Sequence, residues 1–319
     1  MEFSDPVSGE GSGNDKPVEQ GFDSSRPVPD LFTLEVETVS LDPADSSSAD
    51  LLIGRSTPLL ITGLAAEWPA LNSWGVESLS ARFGSKPVRV YNASFGEPGK
   101  NYMGSIDIMP FSEFLDETLG KGRDLRMFLY NIGRQIPELL KDVRIPDIGL
   151  RFSRQFVYSF FGCRGSVTPL HYDIDMSHVL YTSIQGRRRI RLFAPDQSTA
   201  LHKHPFTVRS YVNLDNSNDP DYPGLQDARG YEVIVEAGQS LFIPSAYWHE
   251  FQYLDAGFGV SLRAANTTLN GRLQGLFNLL ILSPIDRISN KLAAQGWFDW
   301  KQSKAKARAR AFMNRRRKL

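Results

Sequence analysis

The chain has little of what would staple a small secreted domain or anchor a protein in a bilayer. Of its 319 residues only one, Cys163, is cysteine, which excludes an internal disulfide framework and a multi-cysteine zinc site. The most apolar run, from Gly275 to Ile285, is shorter than the roughly 20 residues that a membrane-spanning helix takes. The opening residues, Met-Glu-Phe-Ser-Asp-Pro, lack the basic-then-apolar start of a signal peptide. There is no internal repeat, histidine is scarce at five, and the formal net charge is zero. These absences point to a reduced, cytoplasmic protein without a transmembrane segment. Stability must then come from an ordinary hydrophobic core, and 41% apolar with 23% charged residues suffices to build one.

The zero net charge is a cancellation. Residues 1–50 carry twelve acidic and two basic side chains, whereas residues 301–319 carry nine basic and no acidic ones. Residues 1–30, rich in Ser, Gly, Asp and Pro, cannot offset their ordering entropy and read as a disordered acidic tail. Residues 301–319 read as a basic tail. The string Lys-Ala-Lys-Ala-Arg-Ala-Arg-Ala spreads charge all around a helix instead of along one groove-reading face. Nucleic acid or an anionic membrane surface is one possible partner. A solvated tail, pairing with the acidic N-terminus or another subunit, suits the composition better.

Between the tails, Pro58–Gly63 and Pro87–Tyr91 read as strands. Trp68-Pro69-Ala70 and Trp74 lie in a loop leading to a short helix that ends near Phe83-Gly84. Met109–Thr118 has helical spacing, and Ile136–Val143 reads as a second short helix. From Phe156 to Arg263 short strands follow one another, separated by Gly, Pro, Asn and Asp, the pattern of a sandwich or barrel. Residues 31–268 thus form one mainly β domain with flanking helices. Residues 269–300 switch to helical period, with Leu273, Leu276, Phe277, Leu280 and Ile281 on one face. That face could close the barrel or form a homodimer seam, and a second helix starts at Pro284-Ile285.

The strongest chemical signal is His171-Tyr172-Asp173, followed 76 residues after the aspartate by His249. Two imidazoles and a carboxylate cover one face of an octahedral metal and leave the other open, the facial arrangement that suits Fe(II) in oxygen chemistry. A bare His-x-Asp is common, so its context carries the weight. That context comprises Pro-Leu-Leu-Ile-Thr-Gly-Leu with Trp-Pro-Ala and Trp, then Thr168-Pro-Leu-His-Tyr-Asp173. Gly186-Arg-Arg-Arg-Ile-Arg-Leu-Phe-Ala-Pro-Asp196 and Gly238-Gln-Ser-Leu-Phe-Ile-Pro-Ser-Ala-Tyr-Trp-His249 complete it. In this order the four segments, over roughly residues 33–265, resemble the JmjC and cupin-like branch (cupin-8 type) of the Fe(II)- and 2-oxoglutarate-dependent oxygenases. His171-Tyr-Asp-Ile-Asp-Met-Ser-His178 is similar to a bacterial cupin-like subgroup near the asparaginyl hydroxylase of hypoxia-inducible factor.

The resemblance implies a double-stranded β-helix, a jelly-roll or cupin barrel followed by C-terminal helices, with Fe(II) held by His171, Asp173 and His249. It also implies 2-oxoglutarate as co-substrate and hydroxylation coupled to its oxidative decarboxylation to succinate. A co-substrate carboxylate needs a fixed cation, and where the family has a lysine this chain has Arg188. Strand alternation puts Arg188 on a face with Ile190 and Leu192, opposite Arg187, Arg189 and Arg191. An inward arginine calls for an anionic partner; the alternative is that it reaches solvent or pairs with an internal acid. Thr168 stands at the family's carboxylate-binding hydroxyl, or is an ordinary strand threonine. Arg263, on the last strand, is a rival anchor.

Tyr102, Phe128, Tyr130 and Tyr247 are candidates for the pocket wall. His178 reads as a hydrogen-bonded structural residue, His202 and His204 as an exposed loop, and Cys163 as a buried small hydrophobe. Two other readings stand beside the hydroxylase. One is a metal-binding cupin with a non-2-oxoglutarate oxygenase or isomerase activity. The other is a non-catalytic scaffold whose basic tail binds nucleic acid. The substrate is a protein side chain or a small molecule, with the former favoured.

Overall fold

Period-two alternation sorts the central strands into two faces, and those faces organise the molecule. A computed structural model describes residues 31–42, 46–98 and 102–316; the expected disordered tail over residues 1–30 lies outside them. Among the described residues thirteen strands form three sheets. The first four are β1 (Glu37–Ser40), β2 (Leu59–Thr62), β3 (Pro87–Val90) and β4 (Asp107–Pro110). Then come β5 (Arg126–Asn131), β6 (Phe152–Gly162), β7 (Val167–His171), β8 (His178–Gln185) and β9 (Arg188–Phe193). The last are β10 (Gly230–Val235), β11 (Ser240–Ile243), β12 (Trp248–Tyr253) and β13 (Gly257–Ala264). Short helices α1 (Ala70–Ser73), α2 (Val76–Phe83), α3 (Phe111–Leu115) and α4 (Ile132–Gln135) flank the sheets, and α5 (Leu269–Phe277) and α6 (Ser283–Arg316) follow the last strand.

The large sheet runs β1-β2-β11-β8-β13-β6-β5, and a second runs β10-β9-β12-β7. They face each other as the two walls of a double-stranded β-helix. Along β9, Ile190 and Leu192 enter the space between the sheets beside Val179, Leu241 and Ile243. Phe193 and the neighbouring Trp248 point outward under the segment around Leu201 and Leu225. Along β8, Leu180 and Ile184 leave the barrel for a second core that also holds Trp68, Leu79, Phe83 and Phe111. Outside the barrel on β9, Arg191 is buried and held by Glu232, Glu250 and Asp215. The triple arginine run is thus split by strand parity.

Two local expectations are corrected. Helical spacing from Met109 begins too early, because Met109 pairs with Val88 in β4 against β3 and the helix starts only after Pro110. The basic tail is helical through Arg316 and docked on the barrel. Lys301, Ala305 and Ala309 recur every four residues on its buried side, so one face is apolar enough to pack while the arginines face outward. The backbone leaves helical dihedrals at Ala294 (φ 23°, ψ −99°), and α6 is therefore two rods. Around that bend, buried Asp286 accepts from Tyr102 Oη (2.6 Å), Trp297 Nε1 (2.8 Å) and Lys301 Nζ (2.6 Å).

The face of α5 that meets the barrel is not the leucine face. Asn278 Nδ2 donates to the Ile174 carbonyl at 3.0 Å. At Gly275 an added Cβ would sit 2.3 Å from the Asp175 carbonyl oxygen, so glycine lets the helix backbone rest on that turn. Leu273, Leu276, Phe277, Leu280 and Ile281 are exposed on the opposite side; they do not close the barrel. No helix among the described residues is long and apolar enough to cross a membrane.

Candidate metal centre and its pocket

His171 ends β7, Asp173 lies in the turn after it, and His249 is the second residue of β12. Antiparallel pairing sets His249 directly opposite His171, and their ring centroids are 4.3 Å apart. One ligand atom from each of His171, Asp173 and His249 lies within 4.8 Å of the others. His171 Nδ1 is 2.7 Å from the Pro169 carbonyl oxygen, and His249 Nδ1 is 3.0 Å from that of Tyr247. A carbonyl can only accept, so each Nδ1 carries the proton and each Nε2 lone pair is free for a metal.

Burial holds the His171 imidazole neutral, with its pKa lowered to about 3, and the neighbouring His249 pushes the same way. His249 is also lowered, chiefly by burial. For Asp173, burial favours the neutral acid, but Arg263 and the two histidines outweigh it and hold the pKa at about 2. Two neutral nitrogens and one carboxylate on one side of a cavity fit a divalent ion such as Fe(II).

The triad opens into a cavity of about 180 Å³. Its wall combines apolar Phe95, Met103, Phe128 and Leu129 with the hydroxyl-bearing Thr168, Tyr181, Tyr253 and Ser261. The buried Ser261 hydroxyl has no hydrogen-bond partner, an orphan that a bound ligand would satisfy. Thr168 lines this cavity from β7, opposite Phe251. Of the aromatic wall candidates Phe128 lines it, while Tyr102, Tyr130 and Tyr247 do not.

Arg188 does face inward, with Ile190 and Leu192, but it does not line the cavity. It is fully buried with its guanidinium carbon 3.8 Å from the centroid of the Tyr253 ring. Nη1 donates to the carbonyls of Arg187 (2.9 Å) and Asp255 (3.2 Å), and Nη2 to that of Gln185 (3.3 Å). No acidic side chain pairs with Arg188 among the described residues. Arg188 is the first residue of β9, and its side chain curls back to carbonyls of the preceding turn and of the turn between β12 and β13. Arg263, the rival anchor, pairs with Asp173 and also donates to Ser177 Oγ at 3.3 Å. Its charge is therefore engaged by a metal-ligating carboxylate.

His202 and His204 are buried, each 1% exposed, which corrects the exposed-loop reading. The cover is α6: His204 Nε2 is 2.6 Å from Gln302 Oε1, a contact 98 residues distant in sequence and therefore invisible locally. His202 Nε2 lies 2.9 Å from the Pro223 carbonyl oxygen. His178 is buried and accepts from the Ser245 backbone N–H at 3.1 Å, and Cys163 is buried. Sequence reading missed Arg126, Arg209, Tyr181 and Tyr253 in the cavity wall. For Tyr253 a signal existed, since it shares strand parity with His249; for Arg209 none did.

The chain is 31% identical over 224 residues to lysine-specific demethylase JMJ30 of Arabidopsis thaliana, covering 66% of this chain and 50% of that protein. It is 30% identical over 219 residues to lysine-specific demethylase 8 of Xenopus tropicalis, covering 64% and 47%. Human tRNA wybutosine-synthesizing protein 5 is 26% identical over 232 residues, covering 66% of this chain and 72% of that protein. The chain spans about half the length of the two demethylases it matches. His171, Asp173 and His249, the group of side chains that could hold a metal ion among the described residues, lie within the matched segment. Since the model of the cupin-like domain matches residues 46–270, most of the chain and every strand from β2 to β13, the chain belongs to the cupin-like domain family of the JmjC type.

Proposed function

We propose that the chain is an Fe(II)- and 2-oxoglutarate-dependent hydroxylase that acts on a C–H bond, with a protein side chain as the favoured substrate. The observation that carries this reading is the pair of histidines whose Nδ1 atoms are both taken by carbonyls, leaving Nε2 free beside Asp173 at a cavity. His171, Asp173 and His249 would hold the iron, which supplies the oxidising power for C–H hydroxylation when O2 and 2-oxoglutarate are present. Arg263 keeps Asp173 ionised and oriented.

Thr168, Tyr181, Tyr253 and Ser261 would receive the far carboxylate of 2-oxoglutarate, and the unpartnered Ser261 hydroxyl supports that placement. Arg188 would act through Tyr253, holding it from behind, rather than by touching the co-substrate. The apolar side chains of Phe95, Met103 and Phe128 in the wall would limit water at the reacting centre. The relatives' names span lysine demethylation and tRNA modification, so the choice of a protein substrate rests on this chain's own pocket.

Anaerobic titration with Fe(II) and 2-oxoglutarate, followed by O2 and assay of succinate, tests the reading. Binding of both and succinate release are expected; absence of 2-oxoglutarate binding overturns it. His249→Ala is expected to weaken metal binding by about 100-fold or more while the fold persists, checked by metal titration and circular dichroism.

A homodimer belongs to the same proposal. Leu269, Leu273, Leu276, Phe277, Leu280 and Ile281 form an exposed apolar stretch on and after α5, continued by Ile288 and Leu292 on α6. Contiguous exposed apolar patches mark interaction sites on soluble proteins. A second copy of the same helices is its self-complementary cover.

A further inference from the structure

The geometry points to Arg209 as the residue that selects the substrate, and to an acidic peptide side chain as the group it selects. This rests on the oxygenase reading above and adds the chemistry of the substrate to it.

Arg209 forms an isolated antiparallel bridge with the metal ligand His171. Tyr172 N–H donates to the Val208 carbonyl and Ser210 N–H to the Leu170 carbonyl, each at 3.1 Å. These bonds flank the 171/209 pair, making it the non-hydrogen-bonded kind in which cross-strand side chains approach most closely. Both side chains leave the backbone on one face, so backbone pairing alone sets a guanidinium beside the metal-binding imidazole. Arg209 lines the cavity. Its guanidinium carbon is 4.8 Å from the Phe95 ring centroid. A Cβ at Gly96 would come within 2.6 Å of Nη1, so the wall leaves just enough room for this side chain.

The neighbouring carboxylates are engaged elsewhere. Asp173 is paired with Arg263, and Asp286 is held by Lys301, Tyr102 and Trp297. No ion pair with Arg209 occurs among the described residues. The cavity wall carries three guanidinium groups (Arg126, Arg209 and Arg263) against one carboxylate, Asp173. Arg126 is neutralised by Asp124, to which it donates from Nε and Nη2, both at 2.9 Å. A divalent metal and a dianionic co-substrate cancel each other. Arg209 is left without an acidic partner in the cavity wall, where an unmatched charge is costly. A carboxylate matches both that single charge and the two-pronged donor. A phosphate dianion would call for a second unengaged cation, and no other cation in this wall is without an acidic partner.

The test uses the full chain loaded with Mn(II) and 2-oxoglutarate, and three fluorescent peptide pools of one randomised sequence design. The pools carry Asp or Glu, Asn or Gln, or phosphoserine at the central position, and binding is read by anisotropy. The acidic pool is expected to bind about 10-fold more tightly than the amide pool. Arg209→Gln should erase that preference while 2-oxoglutarate affinity stays within about twofold; Arg209→Met, which also removes the charge, serves if the glutamine variant does not fold.

Equal binding of acidic and amide pools, or no binding of either, overturns the inference. So does a preference for phosphoserine, a preference that survives Arg209→Gln, or loss of 2-oxoglutarate binding in that variant. If 2-oxoglutarate fails to bind the unaltered chain, it is instead the oxygenase reading that falls.

Discussion

At the scale of single residues, arginine does three different jobs in this barrel, and each leaves a distinct signature on substitution. Arg263 grips a metal ligand, so Arg263→Met is expected to lower metal affinity by about 10- to 100-fold with modest loss of stability. Calorimetric metal titration checks it. Arg191 gathers Glu232, Glu250 and Asp215 on the outer face of β9. Burial pushes the Glu250 carboxyl up, against the opposing pull of Arg191. Arg191→Met would strand those acids and is expected to cost about 3–5 kcal/mol in urea unfolding while metal binding remains. Arg188 is held by backbone carbonyls and a tyrosine ring, and no sequence rule distinguishes that fate from the other two. Parity correctly sent Arg188 inward. What parity cannot say is whether a long side chain runs straight into the cavity or folds back to the turn it starts from.

At the scale of elements, the C-terminal helices divide their labour between two faces. The inner face is specified by small or polar residues: Gly275 and Asn278 on the turn after Asp173, and Lys301, Ala305 and Ala309 on the barrel. The outer face of α5 is leucine-rich and exposed, with Leu280 at 62%. Leu280→Glu is therefore expected to leave the fold intact and convert a dimer to a monomer in analytical ultracentrifugation. A monomeric unaltered chain would remove the dimer proposal. Hydrophobic periodicity located these helices well but left open whether their leucine face closes the barrel or meets a second copy, since a stripe of apolar residues signals burial against something without naming the partner. The basic run misled for a related reason: alternating alanines hid a packed stripe among the charges.

At the scale of the whole molecule, burial of neutral histidines makes the fold sensitive to acid. His204 is packed among Tyr211, Phe298, Gln302 and the charged groups Lys301, Asp286 and Arg308; its pKa is lowered to about 4, first by burial. His178 and His202 are lowered as well, again chiefly by burial. Below the ordinary value near 6.5 the unfolded chain takes up protons that the folded chain refuses. Stability is thus complete above about pH 6.5 and declines as pH falls toward about 4. His204 alone should account for about 2 kcal/mol of loss at pH 5. Urea midpoints of the metal-free chain at pH 7.5 and pH 5 measure the drop, and His204→Gln should shrink it.

The barrel and the clustering of the candidate metal ligands were legible because their determinants are local: strand parity, turn residues, and a triad embedded in contiguous motifs. The opposite wall of the cavity was not. Arg209 owes its place to pairing across β7 by a segment without strand periodicity, and Tyr102 is held outside the cavity lining by a carboxylate 184 residues away.

That last separation has a consequence in time. During synthesis His171, Asp173 and His249 all emerge well before Asp286 and Lys301, the groups that hold Tyr102 beside the cavity wall. A nascent chain that has reached residue 270 already contains His171, Asp173, His249 and every described strand of the barrel. Yet Tyr102 still lacks Asp286, the carboxylate that accepts its hydroxyl. The candidate metal ligands can therefore assemble before Tyr102 is fixed, a contact that comes only with α6.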